Sequence, residues 1–138
     1  SGRDVNDTMG KFVASKVVTL MHTKQLQVEG AEILILGITL KENCPDIRNT
    51  KILDVYNELI SLGSKVDVYD PIADHEEVKS ELSINMISDI TKKHYSAIIL
   101  AVSHNVFRTI EFKKLHNAST VVFDAKSFID TSYIDGRL

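Results

Sequence analysis

Two positively charged residues follow a short apolar run and precede a helical pattern. Lys41 and Arg48 come after residues 32–36 (EILIL) and Gly37. Ammonium and guanidinium groups both suit phosphate, the first as a compact charge and the second as a planar fork. Open α/β sheets bind ligands outside the carboxyl end of a strand, near the positive end of the next helix. The stretch therefore predicts an anion site, unless Arg48 pairs with Asp46 and Lys41 is simply solvated.

Further polar side chains follow later apolar runs, namely Asp70, His104 and Lys126. An acid in the place of Asp70 often binds a ribose in dinucleotide folds, but Asp70 can equally begin a turn with Pro71. His104 can act as a general acid or base or as a hydrogen-bond donor to a ligand. The alternative is that His104 caps the next helix or meets solvent.

Cys44 is the single cysteine of the chain. A loop thiol near Lys41 can be activated as a nucleophile, but no histidine lies close in sequence and Pro45 follows, so we expect no catalytic role. A lone cysteine excludes an internal disulfide and favours a reducing, cytoplasmic location. The remaining histidines lack the spacing of metal ligands, so we expect no metal site; they are His22, His75, His94 and His116.

The elements that position these residues alternate between strands and helices. This alternation predicts an α/β fold with a doubly wound, parallel, Rossmann-like sheet of about five strands. Right-handed crossovers favour the strand order 3-2-1-4-5. Strands 1 and 4 then flank the switch point, so the loops that carry Lys41 and His104 should form a crevice. The predicted strands are 32–36, 65–69, a weak edge strand at 84–87, 97–102 and 120–123.

A long helix is predicted before the first strand, over residues 5–26. It is either a connector shared with a missing preceding domain or a partner subunit, or a helix packed on this domain's own sheet. Its apolar residues fall at helical spacing and are expected on one face: Val5, Met9, Phe12, Val13, Val17, Leu20 and Met21.

Bulk composition narrows the class of protein. The 138 residues fit one domain, and the net charge of -3 argues against a nucleic-acid binder. No apolar run approaches the ~18 residues of a membrane span. Gly37 stands alone after the first strand, so neither the dinucleotide fingerprint nor the phosphate loop is matched.

Several motifs resemble those of one known family. Residues 37–41 (GITLK) and 45–50 (PDIRNT) resemble the signature that opens the C-terminal domain of the UDP-glucose/GDP-mannose dehydrogenase family. Residues 68–71 (VYDP) and 122–126 (VFDAK) resemble later motifs of that domain. Residues 101–107 (AVSHNVF) are similar to the branch that oxidises UDP-N-acetylhexosamines.

The resemblance implies part of an enzyme that oxidises the C6 hydroxyl of a UDP-sugar to a carboxylate with NAD. The family's N-terminal domain holds most of the NAD site, and its catalytic cysteine lies outside this chain. Residues 3–9 resemble the end of the family's central dimerisation helix. Residues 1–28 are therefore expected to be the C-terminal part of that helix, and residues 29–138 the UDP-binding domain. A homodimer is expected for the full-length enzyme, and no activity for this chain alone.

Residue by residue, the resemblance places Lys41 against the substrate and Leu40 on the uridine side. It places Arg48 toward NAD or the interdomain cleft, with His104 and Lys126 as further cleft residues. Some members have a substrate-contacting arginine where this chain has Lys126, and this departure fits the N-acetylhexosamine branch. The rival hypotheses are a free-standing nucleotide-binding or interaction module, and a domain that serves chiefly in assembly through its first helix.

Overall fold

The computed structural model describes residues 2–138, with side chains from Met9 onward. Ser1 and the side chains of residues 2–8, which belong to the predicted segment 1–28, lie outside the described part. One five-stranded sheet has the order β2-β1-β3-β4-β5, and all its pairs are parallel. The strands are β1 Glu32–Leu36, β2 Lys65–Tyr69, β3 Ala97–Leu100, β4 Val121–Asp124 and β5 Gly136–Arg137.

Helices connect the strands and cover the sheet. Among residues 2–138, none of them combines the length and the apolar character that a membrane crossing needs. The α-helices are α1 Gly2–Thr23, α2 Ile52–Ser61, α3 His75–Leu82 and α4 Phe112–Leu115, and two 3-10 helices span Asn105–Thr109 and Thr131–Tyr133.

The predicted fold class is confirmed, and four predicted strands take the expected neighbours as β2, β1, β3 and β4. The edge strand predicted at 84–87 does not form. Ser83 turns the chain with a φ of 58°, Ile84 is buried in the core, and Ile87 N donates to Val68 O at 2.9 Å. This single hydrogen bond to β2 is not enough to form the hydrogen-bond ladder of a β-strand. The fifth strand is β5 at the opposite edge, where Asp135 holds the backbone of β4 through Val122 N.

Both faces of the sheet are buried, as the uninterrupted apolar runs predict. Ile33 and Ile35 of β1 pack on the face that carries α1 and α2, whereas Leu34 and Leu36 pack on the opposite face. Successive side chains of a strand point to opposite faces, so an apolar run must be covered twice. β1 is therefore held rigidly at the centre of the sheet, and the loop at its carboxyl end has a fixed starting point.

Helix α1 packs on this domain, against α2 and the last two strands. Its buried stripe includes Val13, Val17 and Met21. Gly10 brings α1 so close to α2 that an added Cβ would lie 2.6 Å from Asp54 Cβ. Phe12 and Met9 were predicted on the same face, but they are 47% and 45% exposed. The predicted single apolar face is thus wrong, because the stripe that packs on α2 leaves these two side chains outside it. That residues 1–28 continue a preceding domain stays a prediction.

Lys24 joins the end of α1 to the far side of the sheet. Its Nζ lies 2.6 Å from Asn117 O, 2.8 Å from Thr120 O and 2.9 Å from Asp135 Oδ1, and the side chain is 17% exposed. Hydrogen bonds from Val122 N, Lys24 and His116 outweigh the effect of burial, so the pKa of Asp135 is lowered. The Lys24 ammonium group therefore links the end of α1 to the segment before β4 and to the residue that precedes β5.

We expect Lys24→Met to lower the free energy of unfolding by about 2 kcal/mol, because the largely buried Asp135 carboxylate and two backbone carbonyls each lose one donor. Chemical denaturation of the chain measures the change. Lys11→Met, at an exposed position of α1, the helix that Lys24 follows, is the control and should cost little. Equal effects of the two substitutions would contradict a special role for Lys24.

Candidate functional site

The carboxyl ends of the strands bring the predicted polar residues to one edge of the sheet. β1 lies between β2 and β3, and the chain leaves β1 toward β2 but enters β3 on the other side, so the switch point lies between β1 and β3. There Gly37, with a φ of 99°, lies against Val102: an added Cβ would be 2.5 Å from Val102 Cβ. The first loop, defined as residues 37–51, therefore begins in direct contact with the end of β3.

The first loop is folded on itself. Leu40 N donates to Asp46 O at 2.7 Å, and Thr39 Oγ1 donates to Lys41 O at 2.9 Å. Asn43 takes a φ of 59°, a conformation that asparagine adopts more readily than most residues. The fold of the loop leaves Lys41 exposed and Leu40 52% exposed at its tip. An apolar side chain beside an ammonium group is an arrangement that can take a base and its phosphates.

Beneath the loop lies a fully buried polar cluster. His104 Nε2 lies 3.0 Å from Asp70 Oδ2 and 3.2 Å from Thr39 Oγ1, and both His104 and Asp70 have no exposed surface. On the other side of the ring, Asn43 N donates to His104 Nδ1 at 2.8 Å. Because Nδ1 accepts, the ring proton is assigned to Nε2, which donates to Asp70. The imidazole thus bridges the loops that follow β1, β2 and β3.

Asp70 begins the turn after β2, which is one of the two roles considered for it. Its Oδ1 accepts from Ile72 N at 2.9 Å and from Ala73 N at 3.1 Å, which confirms the predicted turn after β2. Its Oδ2 also accepts from Ile38 N at 2.8 Å. Burial acts to raise the pKa of Asp70, but the hydrogen bonds from His104 and from these backbone groups prevail and lower it. The carboxylate is therefore a fixed negative charge inside the edge of the sheet.

Arg48 pairs with Asp46, one of the two arrangements considered above. The guanidinium binds the carboxylate in two-pronged fashion, with Nη2 at 2.8 Å from Oδ2 and Nε at 3.0 Å from Oδ1. These bonds, with one from the Arg48 backbone, lower the pKa of Asp46 to about 2. The Arg48 side chain is nonetheless 84% exposed. A contact of Arg48 with a cofactor stays a prediction.

The two other predicted cleft residues differ in access. Lys126 is exposed beyond β4, on a turn in which Asp124 accepts from the backbone of Lys126, Phe128 and Ile129. His104, by contrast, is not accessible to a ligand, and its side chain makes no helix-capping hydrogen bond although it precedes the 3-10 helix. Among the side chains that the structure describes, from Met9 to Leu138, no group of His, Cys, Asp and Glu is arranged to hold a metal.

Sequence reasoning named Asp70 and His104 separately but did not pair them, and it missed Thr39 and Asn43. A signal for the pair was available, since both residues follow strands that flank β1. Asn43 also carried a signal, because an asparagine in a tight loop is a candidate for positive φ. The hydrogen bond between its backbone and an imidazole had no signature in the sequence.

A model of the UDP binding domain of the UDP-glucose/GDP-mannose dehydrogenase family matches residues 34–131. The chain belongs to this family. The match runs from β1 past Lys126 and so contains the first loop and the buried cluster. The family resemblance inferred from the motifs is confirmed.

Curated relatives of the chain are dehydrogenases of sugar nucleotides. The chain is 42% identical to the UDP-N-acetyl-D-glucosamine 6-dehydrogenase of Salmonella typhi, over 100% of this chain and 33% of the relative. It is 39% identical to the Pseudomonas aeruginosa protein of the same name, with the same shares covered. The chain therefore spans 33% of the length of these two relatives.

Solved structures of family members share the fold. The NDP-N-acetyl-D-galactosaminuronic acid dehydrogenase of Methanosarcina mazei Go1 superposes with a TM-score of 0.83 at 18% identity, covering 97% of this chain and 30% of that one. The UDP-D-ManNAc dehydrogenase of Pyrococcus horikoshii gives 0.76 at 20% identity, covering 98% and 31%. The likeness shows that this chain has the same fold as the matched parts of these two structures.

Proposed function

We propose that this chain is the UDP-binding domain of an NAD-dependent dehydrogenase that oxidises the C6 hydroxyl of a UDP-N-acetylhexosamine to a carboxylate. The observation that carries the proposal is the exposed pair Leu40 and Lys41 on the first loop, within a matched UDP binding domain. The two bacterial relatives are UDP-N-acetyl-D-glucosamine 6-dehydrogenases, which supports an N-acetylhexosamine as the sugar. UDP-sugar and the other domains of the same protein are the partners that this function requires.

The first loop would do the binding. A diphosphate needs positive charge in a pre-formed site, and the exposed Lys41 ammonium group supplies it. Leu40 offers an apolar surface to the uracil ring. Lys126, on the neighbouring turn beyond β4, is a second exposed cation at this edge of the sheet. Arg48 would turn toward the cofactor side only at the expense of its bonds to Asp46.

NAD, which would accept the hydride in such an enzyme, does not fit the switch point of this domain by itself. The glycine that follows β1 packs against Val102 rather than leaving its Cβ side open to a pyrophosphate. Helix α2 begins only at Ile52, well after the end of β1. The contribution of this chain is therefore to hold the UDP-sugar, and we expect the chain alone to have no dehydrogenase activity.

Titration calorimetry of the chain with UDP tests the proposal. We expect Lys41→Ala to weaken UDP binding about tenfold or more, since a charge-assisted hydrogen bond to phosphate contributes about 1.5–3 kcal/mol. Binding of uridine, which lacks the diphosphate, should change little. Lys65→Ala is the matched control, because Lys65 is exposed at the amino end of β2, on the opposite edge of the sheet.

Two outcomes would contradict the proposal. The first is unaltered UDP affinity in Lys41→Ala, which would remove the first loop from the site. The second is the absence of UDP binding by the wild-type chain, which would favour an interaction module without a nucleotide site of its own.

A further inference from the structure

Buried side chains join the first loop to the rest of the domain, and His104 is the one that bonds to the middle of the loop. Lys41 and Leu40 lie at its tip, where Lys41 O accepts from Thr39 and Leu40 N donates to Asp46 O within the loop. The contact that ties the middle of the loop to the sheet is the bond from Asn43 N to His104 Nδ1 at 2.8 Å. A second bond, from Asn105 N to Asn43 Oδ1 at 2.8 Å, lies beside it. Both fasten the loop after β1 to the segment after β3.

We propose that His104 is a positioning residue that holds the first loop, and with it Lys41 and Leu40, in the conformation that receives the nucleotide. The proposal rests on the proposed function for the identity of that ligand. His104 has no exposed surface, so it acts through the loop and not on the substrate.

The ring is suited to this task because it is held on its other sides. Nε2 donates to Asp70 Oδ2 at 3.0 Å, and Asp70 is itself fixed by three backbone N–H groups. The ring of Phe107 packs against the imidazole with centroids 5.3 Å apart. A side chain anchored in this way has one orientation, and its Nδ1 lone pair therefore has one direction. The Asn43 amide that donates to this lone pair is therefore held in one position.

The two ring nitrogens can be tested separately with two amide side chains. An asparagine side-chain oxygen lies as many bonds from Cβ as Nδ1 does, and a glutamine side-chain nitrogen as many as Nε2. His104→Asn thus keeps an acceptor for Asn43 and loses the bond to Asp70. His104→Gln keeps a donor for Asp70 and loses the acceptor for the loop. If His104 only stabilised the fold, the two variants would not differ in how they hold the first loop.

The measurement is amide hydrogen exchange of Asn43 by NMR in the chain without ligand, followed by calorimetric titration with UDP. We expect His104→Gln to lose the protection of the Asn43 amide and to bind UDP about fivefold more weakly, the worth of one hydrogen bond. His104→Asn should retain the protection and most of the affinity, although it melts at a lower temperature than His104→Gln. His22→Gln, at an exposed position of α1, should match the wild type throughout.

The proposal fails if His104→Gln leaves the Asn43 amide protected, or if UDP affinity follows melting temperature in both variants. Should neither variant fold, the ring nitrogen spectrum of the wild-type chain decides: a proton on Nδ1 would leave the Asn43 amide without an acceptor and overturn the proposal, whereas a proton on Nε2 supports it. The exchange experiment contains no UDP. A chain that binds no UDP but loses Asn43 protection in His104→Gln would refute the nucleotide function and leave the loop-positioning role standing.

Discussion

Asp70→Asn is expected to lower the free energy of unfolding by about 3 kcal/mol, although it removes no volume. Each carboxylate oxygen accepts from two donors: Oδ2 from His104 and Ile38, and Oδ1 from Ile72 and Ala73. An amide has one oxygen, so its NH2 group faces two donors in either orientation. The site is fully buried, so no water can relieve the conflict. Denaturant unfolding followed by circular dichroism measures the loss.

Asp74→Asn is the matched control for this substitution. Asp74 is exposed and accepts from Glu77 N at the start of α3, a position where asparagine caps a helix as well as aspartate does. A loss in Asp70→Asn no larger than in the control would contradict the account of the buried cluster.

The same variant should change the pH dependence of stability. The pKa of Asp70 is lowered in the folded chain, whereas an unfolded aspartate has a pKa of about 3.9. The contribution of Asp70 to stability is fully present above the unfolded pKa. As the pH falls below that value, the unfolded chain takes up the proton first, so the contribution is lost progressively until the pH has passed the folded pKa. Asp70→Asn should therefore lose stability less steeply with acid than the wild type does. Parallel acid titrations of the two proteins would contradict this expectation.

Gly37→Ala is expected to cost about 3 kcal/mol, from left-handed backbone strain together with overlap in a packed site. The φ of Gly37 is 99°, and an added Cβ would lie 2.5 Å from Val102 Cβ and 3.0 Å from Val102 N. Neither atom is the end of a flexible side chain, so the ends of β1 and β3 would have to separate. Thermal and denaturant unfolding of the variant measure the cost.

Gly30→Ala separates the two contributions. Gly30 has a φ of 80°, but nothing lies within 4 Å of the added Cβ, so this variant carries the backbone strain without the overlap and should cost about 1 kcal/mol. Similar costs at the two glycines would show that the contact between Gly37 and Val102 is not tight.

The amino-acid sequence by itself determined the sheet and the edge at which the polar residues gather. Apolar runs long enough for strands buried on both faces occur at β1 and β3, and polar residues begin three positions after each strand ends. In a parallel sheet such residues must meet at the carboxyl ends of the strands, so the sequence alone predicts that Lys41, Asp70 and His104 lie at the same edge. The family motifs contain these same three residues, so the family could also be recognised from the sequence.

Only the tertiary structure decided how those residues pair. Asp70 and His104 are 34 positions apart, and their contact depends on the exact stagger of three neighbouring strands, which a hydrophobic pattern does not encode. The pairing of Arg48 with Asp46 was one of two local options, and the folded loop selects it by placing Asp46 O on Leu40 N.

The edges of the sheet and the faces of α1 were likewise beyond the pattern. β5 has two residues, too few for any period, and it forms because the chain returns along β4 where Asp135 binds Val122 N. On α1, Phe12 and Val13 are both apolar neighbours, and only the close approach of Gly10 to α2 decides that Val13 is buried and Phe12 is not. Local sequence specifies which residues can be buried, whereas the packing partner specifies which of them are.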